Sequence, residues 1–191
     1  MTRFRYFPTF PEGARFDARA CAFCGATPAL DGVWLEVDED YDDPPPVCIE
    51  DLLRDRARVA IPARTQQDLA DHVATSHPEW DDQRKAAYVA ARTAELAHTP
   101  PVPWLQENEW PVCADDYACF HGELTRERLE QRSAGPREAQ AVLGRIFQDL
   151  RPAWQLNAES LDAWWQRLGG FVRIYAFRCP NGEETYVLQT M

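Results

Sequence analysis

Residues 171–189 read FVRIYAFRCPNGEETYVLQ, in which two runs rich in aromatic and β-branched residues flank Cys179-Pro-Asn-Gly182. An Asn-Gly pair between two such runs is a strong signal for a β-hairpin turn. We therefore predict two antiparallel strands, at 171–178 and 184–189, and expect a sheet to form around them.

Two helices are predicted in the residues that precede this hairpin. From Pro136, a favoured first helical residue, to Leu150, the apolar side chains recur at i, i+3, i+4 and i+7. A second helix is expected between Asn157, as its N-cap, and the stop at Gly169-Gly170. With a further short strand at 33–37, these elements predict an α+β fold in which helices cover a small, mostly antiparallel sheet.

A helical region is also predicted in the first half of the sequence. A Thr-x-x-Asp start signal at Thr65 predicts a helix at 66–76, and an alanine-rich run predicts another at 81–98. We predict one domain over residues 1–191, with residues 57–98 as a helical insertion within it.

The charge of the chain excludes some classes of partner. It holds 31 acidic and 20 basic residues, which gives a formal net charge of −11. Nucleic-acid binding depends on Lys and Arg contacts to phosphate, so we do not expect this chain to bind nucleic acid. The same charge favours association with a basic protein partner, because opposite fields speed encounter.

The hydropathy of the sequence leads to an expectation about location. No run of about 18 uninterrupted apolar residues, the length that a membrane-spanning helix needs, is present. Residues 1–8 lack the long apolar region of a secretory signal. We therefore expect a cytoplasmic protein without a membrane span.

Three of the six cysteines suggest a metal site. Cys21-x-x-Cys24 predicts a tight turn, and with Cys48 it offers three thiolates that could bind zinc. A structural zinc site is normally four-coordinate, so a fourth ligand is required. The alternative is a zinc-free turn with reduced, half-buried thiols, because cytosolic proteins seldom contain disulfides. The candidates for the fourth ligand are Asp51, His121 and Cys179.

An acidic segment precedes three consecutive prolines at 44–46. Such a run is most often a solvated loop. It could instead be a binding loop that occupies the basic cleft of a partner, because an embedded tyrosine is a residue type enriched at interface hot spots. The candidate partner-binding residues are Glu36, Asp38, Glu39, Asp40, Tyr41, Asp42 and Asp43.

The centre of the chain contains side chains that could carry chemistry. Cys113 and His121 could form a nucleophile and its base, with Asp115 beside them. The two lie eight positions apart in the sequence, and nothing in the spacing enforces contact. No nucleophile elbow, phosphate loop, zinc-protease motif or dinucleotide fingerprint is present. We therefore favour a structural role for these residues.

Four stretches of the sequence share their order and spacing with a known family. These are Phe4-Arg-Tyr-Phe-Pro8, Cys21-x-x-Cys24-Gly25, the residues 104–122, and Phe177-Arg-Cys179. Over most of its length the chain thereby resembles the CbrC family of bacterial proteins. The resemblance implies cysteine pairs of the zinc-knuckle type. Through the association carried in the family's name, it also implies tolerance of colicins, which are protein toxins made by bacteria.

One cysteine is absent from each of two family pairs. Pro45-Pro-Val-Cys48-Ile49 stands where the family has Cys-Pro-x-Cys-Ile, and Cys179-Pro-Asn-Gly182 stands where it has Cys-x-x-Cys-Gly. Because proline and Asn-Gly can order a turn without metal, the chain could keep the shape of the knuckle without zinc.

Three functional hypotheses follow from the sequence. The first is an immunity or tolerance protein that neutralises a bacterial toxin, such as a basic nuclease, by stoichiometric binding. The second is a zinc-supported structural or adaptor protein. The third is an enzyme that uses Cys113, Asp115 and His121.

Overall fold

The computed structural model describes residues 4–10, 12, 14–30, 45–150 and 158–191. The described residues form helices and short strands in successive blocks, which confirms the predicted α+β class. The elements are β1 (Phe16–Asp17), β2 (Ala29–Leu30), α1 (Ile49–Leu53), α2 (Ala63–Ser76), α3 (Asp82–Ala97), β3 (Val112–Cys113), β4 (Asp116–Tyr117), β5 (Cys119–Glu123), α4 (Arg126–Gln131), α5 (Pro136–Leu150), α6 (Ala158–Arg167), β6 (Val172–Arg178) and β7 (Glu184–Thr190).

The largest sheet among the described residues has three antiparallel strands in the order β5-β6-β7. Strands β6 and β7 pair from Val172 with Thr190 to Arg178 with Glu184, which confirms the predicted hairpin. Gly182 has φ +89° in the connecting turn, a conformation that glycine adopts without steric cost. Strands β1 and β2 form a second antiparallel sheet, and β3 and β4 form a third.

Both faces of the central strand β6 are buried. Val172, Ile174 and Ala176 pack with apolar residues of α4, α5 and α6. The alternate residues Tyr175 and Phe177 belong to a second cluster on the opposite face. Since side chains alternate along a strand, β6 separates two layers of core. The second cluster includes Tyr6, Phe7, Leu69, Val73, Leu96, Trp110 and Phe120.

The helix at 136–150 forms as the periodicity predicts. It begins at Pro136 and ends at Leu150, and Ala139, Leu143, Ile146 and Phe147 are its buried residues. Helix α6 begins at Ala158. The predicted N-cap Asn157 and the predicted strand at 33–37 lie outside the described residues.

The two helices of the predicted insertion differ slightly from their expected bounds. Helix α2 begins at Ala63, three residues before the predicted 66, and Thr65 lies buried within its first turn. Helix α3 is capped by Asp81, whose side chain accepts a hydrogen bond from the Arg84 amide at 2.7 Å. The assignment of residues 57–98 as an insertion stays a prediction.

Residues 4–10, here called the N-terminal arm, lie beside β5 at the edge of the three-stranded sheet. The amide of Phe120 donates to the carbonyl of Tyr6 at 2.7 Å, and the rings of Phe7 and Phe120 meet edge to face with centroids 4.8 Å apart. Tyr6 and Phe7 are fully buried, so the arm is part of the core. No helix in the described part of the chain is long and apolar enough to cross a membrane.

Candidate metal centre

The first half of the candidate site is a tight turn at Cys21–Gly25. The Gly25 amide donates to the carbonyl of Cys21 at 2.9 Å, and the Cys21 amide donates to the carbonyl of Ala26 at 2.9 Å. Gly25 has φ +73°, in the left-handed region that glycine favours. The turn therefore brings Cys21 and Cys24 to the same side of the backbone, as their spacing predicts.

The second half comes from the segment that leads into helix α1. The Leu30 amide donates to the carbonyl of Val47 at 2.8 Å, and the Ala22 amide donates to the carbonyl of Pro46 at 2.9 Å. These two bonds place Cys48, which follows Val47 in the sequence, beside the turn at Cys21–Gly25. Cys48 is the N-cap of α1, and Asp51 lies in the first helical turn.

Four side chains converge where these halves meet. The sulfur atoms of Cys21, Cys24 and Cys48 and a carboxylate oxygen of Asp51 all lie within 4.8 Å of one another. Asp51 Oδ2 is 3.2 Å from Cys21 Sγ and 3.3 Å from Cys48 Sγ. Cys24 Sγ is 3.6 Å from Cys48 Sγ. This group of donors could hold a metal ion.

The burial of the cluster is uneven. Asp51 is 1% exposed, Cys21 and Cys48 are buried, and Cys24 is exposed. A carboxylate is seldom buried to this extent unless a cation or hydrogen-bond donors compensate its charge. Three of the four side chains are thus shielded from solvent, and Cys24 is the one that solvent reaches.

The protonation of the cluster follows from these contacts. Hydrogen bonds from thiols, first that of Cys24, lower the pKa of Asp51, while its burial acts in the opposite direction. Burial raises the pKa of Cys48, and the hydrogen bond with Asp51 raises that of Cys24. Without a bound cation, the protonated thiols therefore donate hydrogen bonds to the Asp51 carboxylate. A cation would displace the thiol protons, because the thiolate is the form that ligates metals.

Arg56 contacts the outer side of the Asp51 carboxylate. Its Nη1 lies 3.5 Å from Asp51 Oδ1, whereas the thiols contact Oδ2. The Arg56 amide also donates to the Asp51 carbonyl at 2.9 Å. A group that binds the free oxygen of a ligating carboxylate orients that ligand. Sequence reasoning missed Arg56, since nothing in the spacing of the cysteines points to it.

The structure distinguishes among the three predicted fourth ligands. Asp51 lies in the cluster. Cys179 does not, because it forms a disulfide with Cys113 across a Cα–Cα distance of 5.5 Å. The suggestion of Cys179 as the fourth ligand is therefore wrong. His121 lies on β5 and is not among the clustered residues.

The structure also bears on the third hypothesis, an enzyme that uses Cys113, Asp115 and His121. Cys113 is not a free nucleophile, because its sulfur is bonded to Cys179. The carboxylate of Asp115 contacts His77, with Oδ2 2.7 Å from Nε2. Burial lowers the pKa of His121. The enzyme hypothesis thus loses its nucleophile.

The candidate partner-binding residues Glu36, Asp38, Glu39, Asp40, Tyr41, Asp42 and Asp43 lie outside the described residues. Their assignment stays a prediction.

Comparison with known proteins identifies a family for this chain. The sequence model of the family described as "Uncharacterised protein family (UPF0167)" matches residues 1–189. No curated protein and no solved structure matches the chain.

Proposed function

This chain belongs to the UPF0167 family, and we propose that it is a zinc-supported binding protein. In this proposal Cys21, Cys24, Cys48 and Asp51 hold one structural zinc ion. The observation that carries it is the convergence of four donor atoms within 4.8 Å of one another, from two segments of the chain.

Three of the distances within the cluster are close to those of a zinc site, and the others are no longer than 4.8 Å. A tetrahedral ion with Zn–S bonds of about 2.3 Å separates two sulfur ligands by about 3.8 Å and a sulfur from an oxygen by about 3.5 Å. The corresponding separations here are 3.6 Å for Cys24 Sγ and Cys48 Sγ, and 3.2 and 3.3 Å for the two sulfur–oxygen contacts. Side chains that already lie this close need only small shifts to bind the ion.

The donor set selects the type of metal and its role. Three thiolates favour a soft or borderline ion, whereas magnesium and calcium require oxygen ligands. Four protein ligands complete a tetrahedral site, so no position remains for a substrate or a catalytic water. Three thiolates and a carboxylate carry more negative charge than zinc neutralises, and the guanidinium of Arg56 compensates part of the remainder.

A zinc ion in this place would clamp the turn at Cys21–Gly25 to the start of helix α1. Phe23, within the turn, is 44% exposed, and Phe16, on the adjoining β1, is 42% exposed. In the adaptor hypothesis these two side chains would form part of the contact with another protein.

Metal analysis tests the proposal. Protein purified without chelator is expected to contain close to one zinc per chain by inductively coupled plasma mass spectrometry. Cys24→Ser is expected to lose the metal and to stay folded, because Cys24 is exposed. The matched control is Cys119→Ser, which is expected to keep it. Less than about a tenth of a zinc in the wild-type protein would contradict the proposal, since structural sites hold zinc tightly.

A second candidate function rests on charge. With a net charge of −11 and a resemblance to the CbrC family, the chain is suited to bind a basic toxin domain and to act as an immunity protein. The expected result of affinity purification from the host is a stoichiometric basic partner. Reversing Asp40, Asp42 and Asp43 to Lys should then slow association and reduce its salt dependence. An unchanged association rate would exclude the acidic segment as the contact.

A further inference from the structure

The sulfur atoms of the cysteine cluster differ in their access to solvent. Of the four free cysteines, all of which the structure describes, Cys24 is exposed, Cys21 and Cys48 are buried, and Cys119 is half-buried. Oxidation of cysteine requires the thiolate and access from solvent, and a cysteine that ligates zinc is a thiolate. An oxidant that approaches the proposed zinc site therefore reaches Cys24 before the other ligands.

A second sulfur atom lies beside that of Cys24. The Sγ atoms of Cys24 and Cys48 are 3.6 Å apart, although the two residues are separated by 24 positions in the sequence. The sulfur–sulfur bond of a disulfide is about 2.0 Å long, so these atoms need to approach by roughly 1.6 Å. Exposed side chains change rotamer within nanoseconds, so a shift of this size is available to Cys24.

The third cysteine of the cluster is less suited to this reaction. Cys21 is 3% exposed, and its sulfur donates to Asp51 Oδ2 at 3.2 Å. Burial keeps an oxidant away from Cys21, and this contact directs its sulfur toward the carboxylate. Cys48 contacts the same oxygen at 3.3 Å, but it also contacts Cys24. Cys24 and Cys48 are therefore the pair that is best placed to form a disulfide.

A disulfide and a zinc ion exclude each other at these sulfur atoms. The thiolate is the form that ligates metals, and a disulfide contains none. A bond between Cys24 and Cys48 would remove two of the four proposed ligands, whereas a structural zinc site normally requires all four. Oxidation of this pair would thus release the ion.

We propose that Cys24 and Cys48 form an oxidisable pair, which hydrogen peroxide converts to a disulfide with release of zinc. This inference rests on the proposed zinc site. The Cys24 thiolate attacks one oxygen of the peroxide, and the products are a sulfenic acid and hydroxide. The Cys48 thiolate then attacks the Cys24 sulfur, forms the S–S bond and releases a second hydroxide. The peroxide gains the two electrons that the two sulfur atoms lose.

The oxidised cluster keeps the turn attached to helix α1. Cys24 lies in the turn and Cys48 is the N-cap of α1, so the disulfide joins the same two segments that zinc would join. The buried carboxylate of Asp51 retains the Cys21 thiol at 3.2 Å and the Arg56 guanidinium at 3.5 Å. The oxidised protein is therefore expected to stay folded, and circular dichroism checks this.

The first measurement follows zinc and thiols together. Zinc-loaded protein is treated with hydrogen peroxide in buffer without chelator or thiol, and 4-(2-pyridylazo)resorcinol reports the released zinc. We expect the loss of one zinc per chain together with two of the four free thiols. Cys119→Ser is the matched control and is expected to release zinc like the wild type, because Cys119 is not among the clustered residues.

Mass spectrometry identifies the linked pair. The remaining thiols are blocked with N-ethylmaleimide, and the protein is cleaved after acidic residues with endoproteinase Glu-C. The acidic residues at 36–43 separate Cys48 from the peptide that contains Cys21 and Cys24, whereas trypsin leaves all three cysteines in one peptide. We expect Cys48 to be linked to Cys24, and Cys21 to carry the blocking group.

One variant separates the pair from the metal. Cys21→Ser removes a proposed ligand and leaves both sulfur atoms of the pair, so it is expected to lose zinc and still to form the Cys24–Cys48 disulfide. Should this variant fail to fold, as judged by circular dichroism, the linkage in the wild-type protein decides.

Three results would overturn the inference and leave the zinc site in place. They are retention of zinc in peroxide, a disulfide that involves Cys21, and conversion of Cys24 to a sulfinic acid without a link to Cys48. A wild-type protein that holds no zinc before treatment would instead contradict the proposed function. The linkage found in that metal-free protein would then decide whether Cys24 and Cys48 are an oxidisable pair.

Discussion

The carboxylate of Asp116 accepts a hydrogen bond from the hydroxyl of Tyr6 at 2.7 Å, although 110 residues separate the two in the sequence. Arg5 forms an ion pair with the same carboxylate. Asp116 is 5% exposed and Tyr6 is fully buried. Burial and the hydrogen bond to Asp116 raise the pKa of Tyr6, so the phenol stays protonated and donates. This contact ties the N-terminal arm to β4.

The first prediction removes this hydrogen bond. Tyr6→Phe is expected to lower the free energy of unfolding by about 2 kcal/mol, because the bond is buried and its acceptor is charged. Urea titration followed by circular dichroism measures the change. Tyr186→Phe is the matched control, since its hydroxyl contacts the exposed side chain of Glu184. An equal decrease in the free energy of unfolding in the two variants would show that the hydrogen bond from Tyr6 to Asp116 does not stabilise the arm.

The second prediction concerns the disulfide between Cys113 and Cys179, which joins β3 to the end of β6. Its two cysteines lie 66 residues apart, so the bond restricts a long loop of the unfolded chain. Reduction by tris(2-carboxyethyl)phosphine is expected to lower the free energy of unfolding by about 3 kcal/mol. Cys113→Ser should remove this sensitivity to reductant, and Cys119→Ser should retain it.

A count of thiols checks the same bond directly. Protein denatured with chelator and without reductant is expected to show four reactive thiols, those of Cys21, Cys24, Cys48 and Cys119. Complete reduction should raise the count to the six cysteines of the sequence. Six thiols before reduction would contradict the disulfide.

The elements that the sequence predicted well are those fixed by local patterns. Helix α5 has a full apolar period, and the hairpin of β6 and β7 has an Asn-Gly turn. Strand β5 was missed because it is five residues long and its pairing with β6 shifts between Phe120 and Gly122. Helix α4 was missed because it has six residues and is stabilised by its Thr125 cap rather than by a periodic face.

The metal ligands were only partly predictable for a related reason. The Cys21-x-x-Cys24 spacing is local and visible in the sequence. The approach of Cys48 and Asp51 depends on the pairing of Leu30 with Val47, which no local pattern reveals. The disulfide likewise depends on where β3 lies relative to the end of β6. The sequence alone therefore could not distinguish Asp51 from the other two candidates for the fourth metal ligand.

The third prediction tests the orientation of the Asp51 carboxylate by Arg56, and it rests on the proposed zinc site. Arg56→Gln removes the guanidinium from Asp51 Oδ1 and is expected to weaken zinc binding by about tenfold, as loss of an outer-shell partner does. Competition with a chromophoric chelator measures the affinity. The control is Arg54→Gln, which also removes one positive charge. Arg54 is the exposed C-cap of α1, the helix that contains Asp51. Equal weakening in both variants would indicate a general effect of charge.

The fourth prediction concerns the pair formed by His77 and Asp115. His77 is the C-cap of α2, its ring stacks on Trp80 with centroids 3.8 Å apart, and its Nε2 lies 2.7 Å from Asp115 Oδ2. The hydrogen bond with His77 lowers the pKa of Asp115 from its ordinary value of 3.8, against the opposing effect of burial. The pair therefore links the helical region to the turn between β3 and β4.

A carboxyl group whose pKa is lower in the folded state contributes stability above its unfolded pKa and loses it as the pH falls through its folded pKa. Asp115→Asn is thus expected to be less stable than the wild type at pH 6, and the difference should shrink as the pH falls below about 3.8. The effect should stay under about 1 kcal/mol, because the Asp115 side chain is 34% exposed. Thermal unfolding of chelator-treated protein measures it without a contribution from the metal. Asp162→Asn, at an exposed position of α6, is the control. A difference that is constant with pH would mean that Asp115 stabilises the fold through packing and not through its charge.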